Sequence, residues 1–360
     1  MRLALSVVLT LVLAPAAAAQ VPGRGPDSII DASMRAEVID GVLRRLDEGY
    51  VVPEKAAEMA QAVRARARQG AYDRLVSAQA FADTLTYDLQ AVSHDRHLRV
   101  VYRSRGVPEE TLDGEPSADQ RRERAAFGRL VNYGLERAER LAGNVGYLEI
   151  RSFDFDAATV DSALAAAMTF LANTDALIID VRRNGGGDPA MVAAVCSYLM
   201  PPGTLINKFY WRPLNRWDEF RTGAVHGRHY GATKPVYVLT SDRTFSGAEE
   251  FAYDLQTQRR GEVVGDTTGG GAHPGGMRRV TEQFGVWVPA GRAVNPVTGT
   301  DWEGTGVRPD VPVPSAAALR TAHLRALERL LAAERDADHR AMLQRAIEDV
   351  RRAPAPTPAS

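Results

Sequence analysis

The chain is 360 residues long, with 45% hydrophobic residues, 25% charged residues and a formal net charge of −1. Without a long basic block it offers no electrostatic footprint for nucleic acid. Its one cysteine, Cys196, excludes an intramolecular disulfide, so stability has to come from burial, and the length allows one large core or two domains.

The chain opens MRLALSVVLTLVLAPAAAAQ. One basic residue, an apolar run from Leu3 to Leu13 and small residues up to Ala19 predict a secretory signal peptide at 1–19, since a membrane span needs about 20 apolar residues. The protein is therefore expected to be exported, to the periplasm or the cell exterior, with no membrane anchor after cleavage. Between 28 and 100, the segments IIDASMRAEVIDGVLRRLDEGY, PEKAAEMAQAVRARARQGAY and SAQAFADTLTYDLQAVS carry apolar residues at helical spacing. They predict an N-terminal helical-bundle domain. Residues 101–140, with SRGVPEETLDGEPSADQ inside them, are polar and carry Pro and Gly, and read as a connecting segment.

From 141 to 315 the texture alternates. NVGYLEIRSF reads as a strand, DAATVDSALAAAMTFLANT as a helix and ALIIDV as a strand buried on both faces. NGGGDP interrupts, AMVAAVCSYLM is a helix, and TLINKFYW, PVYVLT, SGAEEFAYDLQTQ and GEVVGD continue the alternation. This argues for an α/β core with parallel strands. Residues 316–352 are expected to be helical, with His323 and His339 on their surface, and 353–360, APAPTPAS, to be disordered. Cys196 reads as a small buried hydrophobe.

The chemistry centres on TFSGAEEFAYDLQ, Thr244–Gln256. A strand ending at Thr240 and a helix starting near Ser246 put a hydroxyl beside unpaired N–H groups at a helix N-terminus. S-G-A-E is also a capping box, so Ser246 reads either as a cap or as a nucleophile. A nucleophile needs a base and oxyanion donors. Donors are available from NGGG at Asn184–Gly187 and from TTGGGAHPGG at Thr267–Gly276; neither is a P-loop. Candidate bases are His94 and His97 in SHDRHLRV, His273 in the second glycine-rich loop, and the loop pair His226 and His229.

TSDRTFSGAEEFAYDLQ, IIDVRRNGGGDP, VVGDTTGGGAHPGG, EGTGVRPDVPV and VSHDRHLRV together resemble the tail-specific peptidase family S41, in its branch of tricorn and interphotoreceptor retinoid-binding proteins. The resemblance implies an α/β, crotonase/ClpP-like core and a serine peptidase acting on peptides or unfolded protein, with no cofactor and no metal. It makes Ser246 the nucleophile. The processing branch uses a lysine of the following loop, but lysine occurs here only at 55, 208 and 234, which excludes a Ser–Lys dyad. The tricorn-like branch implies His97 as base, with His94 behind it, and Glu303 as its carboxylate. Its oxyanion hole would use Gly247 and either Gly186 or Gly187. Arg96 stands where that branch has a relay serine, so Ser93 or Asp95 is expected to take that part. Tyr102–Asn144 is too short for a PDZ domain.

Two other readings compete. Retinoid-binding relatives suggest a non-catalytic module that binds an apolar ligand or a peptide. HDRH and HGRH each place two histidines three apart, which on a helix can serve a zinc ion, although neither is an H-E-x-x-H motif.

Overall fold

The computed structural model describes residues 25–108 and 117–353. The predicted signal peptide and all but the first residue of the predicted tail lie outside them. The helices are α1 (Ala32–Gly49), α2 (Pro53–Arg68), α3 (Ala78–Ser93), α4 (Ala118–Leu130), α5 (Ala157–Leu171), α6 (Pro189–Ser197), α7 (Gly247–Thr257), α8 (Ser315–Ala333) and α9 (Ala337–Arg352). The strands are β1 (Arg99–Tyr102), β2 (Leu135–Leu141), β3 (Val145–Ile150), β4 (Ala176–Asp180), β5 (Leu205–Trp211) and β6 (Arg216–Arg221). They continue with β7 (Val236–Thr240), β8 (Glu262–Gly265), β9 (Gly275–Arg279), β10 (Phe284–Pro289), β11 (Gly291–Val294) and β12 (Val311–Pro312).

The main sheet has the order β12-β8-β7-β4-β3-β2, parallel except for β2. Along β4, Leu177 and Ile179 pack into one apolar cluster with α5, α6 and α7, while Ala176 and Ile178 pack into another with α8 and α9. A strand alternates its side chains between faces, so helices on both sides bury the whole of ALIID and explain its unbroken apolar run.

In α1–α3, Asp31 and Ser77 cap α1 and α3 through the N–H groups of Met34 and Ala80, and Pro53 opens α2. The core of this bundle joins Leu46, Phe81 and Leu85 to Val100, Phe284, Val286 and Val288. Val100 comes from β1 and the other three from β10 in sheet β1-β10-β9, so a strand of the later core closes the helical bundle. A third sheet, β11-β5-β6, is antiparallel.

Two expectations need correction. Residues 101–140 are more than a connection, since they contain α4 and the edge strand β2. LERAERL reads as polar because an edge strand exposes most of its side chains. His323 is buried, with Nε2 at 2.9 Å from the Ala142 carbonyl, because α8 lays that face on the sheet. Cys196 is fully buried as predicted. Among the described residues no helix is long and apolar enough to cross a membrane.

Candidate active site

Strands β4 and β7 are parallel neighbours, so the loops leaving their carboxyl ends lie side by side, where open α/β sheets usually hold their ligands. Hydrogen bonds join the two loops. Thr244 Oγ1 donates to the Val181 carbonyl at 2.9 Å, Ser241 Oγ to Arg182 at 2.6 Å, and the N–H of Phe245 to Asn184 at 3.1 Å. The NGGG loop therefore sits against the serine turn.

Ser246 precedes α7 with φ 54° and ψ −125°. A non-glycine residue at positive φ is strained, and such strain survives only where the surroundings enforce it. The turn has the layout of a capping box: Glu249 Oε2 accepts from the N–H of Ser246 at 2.8 Å. The N–H of Glu249 bonds the Ser246 carbonyl at 2.8 Å, so backbone groups close the turn around the half-buried hydroxyl.

Glu249 is completely buried and does more than cap. Besides Ser246 it accepts from the Thr268 hydroxyl at 2.5 Å and from the N–H groups of Gly270 and Gly271 at 2.6 and 2.8 Å. Burial raises its carboxyl pKa, and these four donors oppose the rise. One carboxylate thereby pins the second glycine-rich loop to the serine turn.

The N–H of Gly186 is engaged by Asn184 Oδ1 at 2.8 Å. The N–H groups of Gly187 and Gly247 make no hydrogen bond among the described residues. A Cβ on Gly247 would stand 3.1 Å from Gly187 N, and one on Gly186, at φ 104°, 2.7 Å from both Gly247 N and Ser246 Cβ. Glycine is required for backbones to approach this closely. The N–H groups of Gly187 and Gly247 thus both lie close to the serine turn.

His97 is 8% exposed, and its ring lies 4.5 Å from that of Phe245, centroid to centroid. Gly271 leaves it room, since a Cβ there would stand 2.6 Å from His97 Cε1. Among the described residues neither ring nitrogen has a hydrogen-bond partner, Ser246 included. Burial lowers the imidazole pKa to about 4, so at neutral pH the ring is uncharged and able to take a proton. Arg96 donates to the Gly269 carbonyl at 2.7 Å and lies over the other ring neighbour, Phe245, at 5.3 Å.

The carboxylate next to His97 is Asp95, 3.8 Å from Nδ1. Asp95 Oδ2 bonds His273 Nδ1 at 2.8 Å and the Tyr50 hydroxyl at 3.2 Å. Glu303 faces His273 at 3.7 Å and accepts from the N–H of Ala272. Burial and then Asp95 push the Glu303 carboxyl up; for His273 burial opposes the charge, but Asp95 and Glu303 outweigh it and raise the pKa. One ring nitrogen of His273 and one carboxylate oxygen each of Asp95 and Glu303 lie within 4.8 Å of one another.

The remaining candidates lie elsewhere. His94 is exposed at the left-handed end of α3, and Ser93 Oγ accepts from the N–H of Asp95 at 3.2 Å. His226 pairs with Asp161, and His229 with the Met200 carbonyl, so the two H-x-x-H pairs do not assemble. Lys55, Lys208 and Lys234 serve Glu58, the Trp217 ring and the carbonyls of Ala172 and Thr174.

The sequence model of peptidase family S41 matches residues 144–313, and that of the N-terminal domain of Peptidase_S41 in eukaryotic IRBP matches 29–134. The chain belongs to peptidase family S41. Among curated relatives of this S41 chain is carboxyl-terminal-processing peptidase 2, chloroplastic, of Arabidopsis thaliana, 25% identical over 175 residues, which are 48% of this chain and 32% of the relative. The chain thus spans about a third of that relative's length. Its fold is similar to that of a photosystem II D1 C-terminal processing protease, with TM-score 0.51 and 18% identity over 79% of this chain and 94% of the other. It is also similar to tricorn protease, with TM-score 0.50 and 14% identity over 88% and 37%.

Three partners in the candidate site were not assigned from sequence: Glu249 as an anchor, Tyr50, and the bond between His273 and Asp95. The capping box signalled Glu249 only in part. Tyr50 and His273 reach Asp95 across 45 and 178 residues, and no local pattern records such pairs.

Proposed function

We propose that the chain is a serine peptidase that cleaves peptides or unfolded protein through an acyl-enzyme. The observation carrying this reading is the strained Ser246 beside the two free N–H groups of Gly187 and Gly247. Ser246 Oγ attacks the scissile carbonyl while its proton passes to His97, and the oxyanion accepts from Gly247 and Gly187. Each donor contributes roughly a hundred- to thousandfold in rate. His97 then returns the proton to the leaving amine, and water, activated by His97, hydrolyses the ester. Glu303 belongs to the carboxylate cluster behind His97. The signal-like segment 1–19 supports export as the setting.

The competing reading, a non-catalytic binding module on the same scaffold, is favoured by one observation: His97 and Ser246 share no hydrogen bond. Catalytic hydrogen bonds often tighten only with substrate bound, so this geometry leaves the peptidase reading in place. A peptide-library digest by wild type and by Ser246→Ala separates the two. Cleavage by wild type that is lost in the variant is the expected result; identical digests would remove Ser246 as nucleophile.

A further inference from the structure

We infer that Asp95, rather than Glu303, is the carboxylate that orients His97 and balances its charge, and that His273 and Glu303 act through Asp95. This rests on the reading of Ser246 and His97 as nucleophile and base.

His97 has to become an imidazolium in a place where neither nitrogen has a partner. An unpaired buried cation is strongly disfavoured. The one carboxylate within 4 Å of its nitrogens, among the described residues, is Asp95. Asp95 is 1% exposed and held from several sides. Oδ1 accepts from the N–H of His97 at 3.0 Å, and Oδ2 takes the Tyr50 hydroxyl and His273 Nδ1. Oδ1 lies 3.8 Å from His97 Nδ1, so a ring movement of about 1 Å brings the pair to hydrogen-bond length.

The proton balance is simple. The serine proton moves to Nε2, Nδ1 keeps its own proton and donates it to Asp95 Oδ1, and Asp95 stays ionised. Nε2 later protonates the leaving amine. Glu303 contacts His273, not His97, so it steadies the charge on His273 and reaches His97 only through that link. Arg96 is held by the Gly269 carbonyl and the Phe245 ring, and its charge, like that of Arg99, opposes protonation of His97, so the counter-charge has to come from Asp95. The charged and titratable groups around His97 are Asp95, His273, Arg99 and Arg96; Glu303, Tyr50 and Asp301 lie behind them.

The test compares full-length wild type, Asp95→Asn, His273→Gln and Glu303→Gln in kcat and KM against pH on a cleaved peptide. Asp95→Asn is expected to lower kcat by about 100-fold or more, with KM changed by less than about threefold. Losing a negative neighbour moves its acid limb to lower pH, whereas His273→Gln removes a positive neighbour and moves the limb to higher pH, with a smaller loss of kcat. Glu303→Gln loses less than Asp95→Asn. A merely structural role moves neither limb in these opposite senses. The inference is overturned if Asp95→Asn, folded by near-ultraviolet circular dichroism, keeps kcat within about threefold of wild type. Should Asp95→Asn not fold, an unmoved limb in His273→Gln overturns it and an upward shift supports it. Wild type that neither cleaves peptides nor reacts with a fluorophosphonate at Ser246 brings down the peptidase reading as well; a reactive wild type with an unaffected Asp95→Asn brings down this inference alone.

Discussion

Glu249 ties the chemistry to the fold through a single side chain. It holds the N–H of Ser246, the Thr268 hydroxyl and the N–H groups of Gly270 and Gly271. Glu249→Ala would leave four donors without their acceptor. Hydrogen bonds to a charged group are individually worth about 1.5–3 kcal/mol, so the variant is expected to lose about 3 kcal/mol or more of stability and most of its activity. Urea unfolding checks the first; a midpoint within error of wild type would show that the carboxylate anchors nothing. The turn that carries Ser246 was legible in sequence because strand, serine and helix are local. The partners of Asp95 were not, because Tyr50 and His273 are joined to it only by folding. Glu303, named from a motif, lies with His273 instead of touching His97.

Helix α7 carries the serine at its head and two fully buried acids, Glu250 and Asp254, in its body. Burial pushes both carboxyls upward; the neighbouring Glu250 raises Asp254 further, and Asp188 raises Glu250. Glu250 Oε1 and Asp254 Oδ2 have no hydrogen-bond partner among the described residues. The sign follows from linkage. The folded state holds more protons than the unfolded chain above the ordinary carboxyl value of 4.5, so stability falls as pH rises from there through the raised folded value. The urea midpoint of wild type is expected to drop between pH 5 and pH 8 by more than that of Glu250→Gln. Equal slopes would mean that Glu250 ionises normally. At this scale β4 was plain in the sequence from its apolar run. β2 was hidden by the exposed face of an edge strand, and the place of the β9-β10 hairpin by the pairing of β10 with β1, which lies far away in sequence.

At the scale of the molecule, bundle and core are interlocked. His97 comes from the bundle side and Ser246 from the core, while β1-β10-β9 joins the two. Phe284 stands in the bundle's apolar core, edge-on to Phe81 at 6.3 Å. Phe284→Ala is expected to cost about 3–5 kcal/mol. Because the sheet is shared, helicity and hydrolysis should be lost together on heating; a variant that loses its bundle first and keeps the core folded would show two independent units. The family's architecture was legible because five motifs occur in order, each short and local. How its two halves share a sheet was not.

The central claim, that Ser246 is an activated nucleophile, is tested most directly by treating the protein with a fluorophosphonate and mapping the adduct by mass spectrometry. The account predicts one adduct, on Ser246, absent from Ser246→Ala and strongly slowed in His97→Ala. No adduct, or an adduct on another residue that persists in Ser246→Ala, would contradict it.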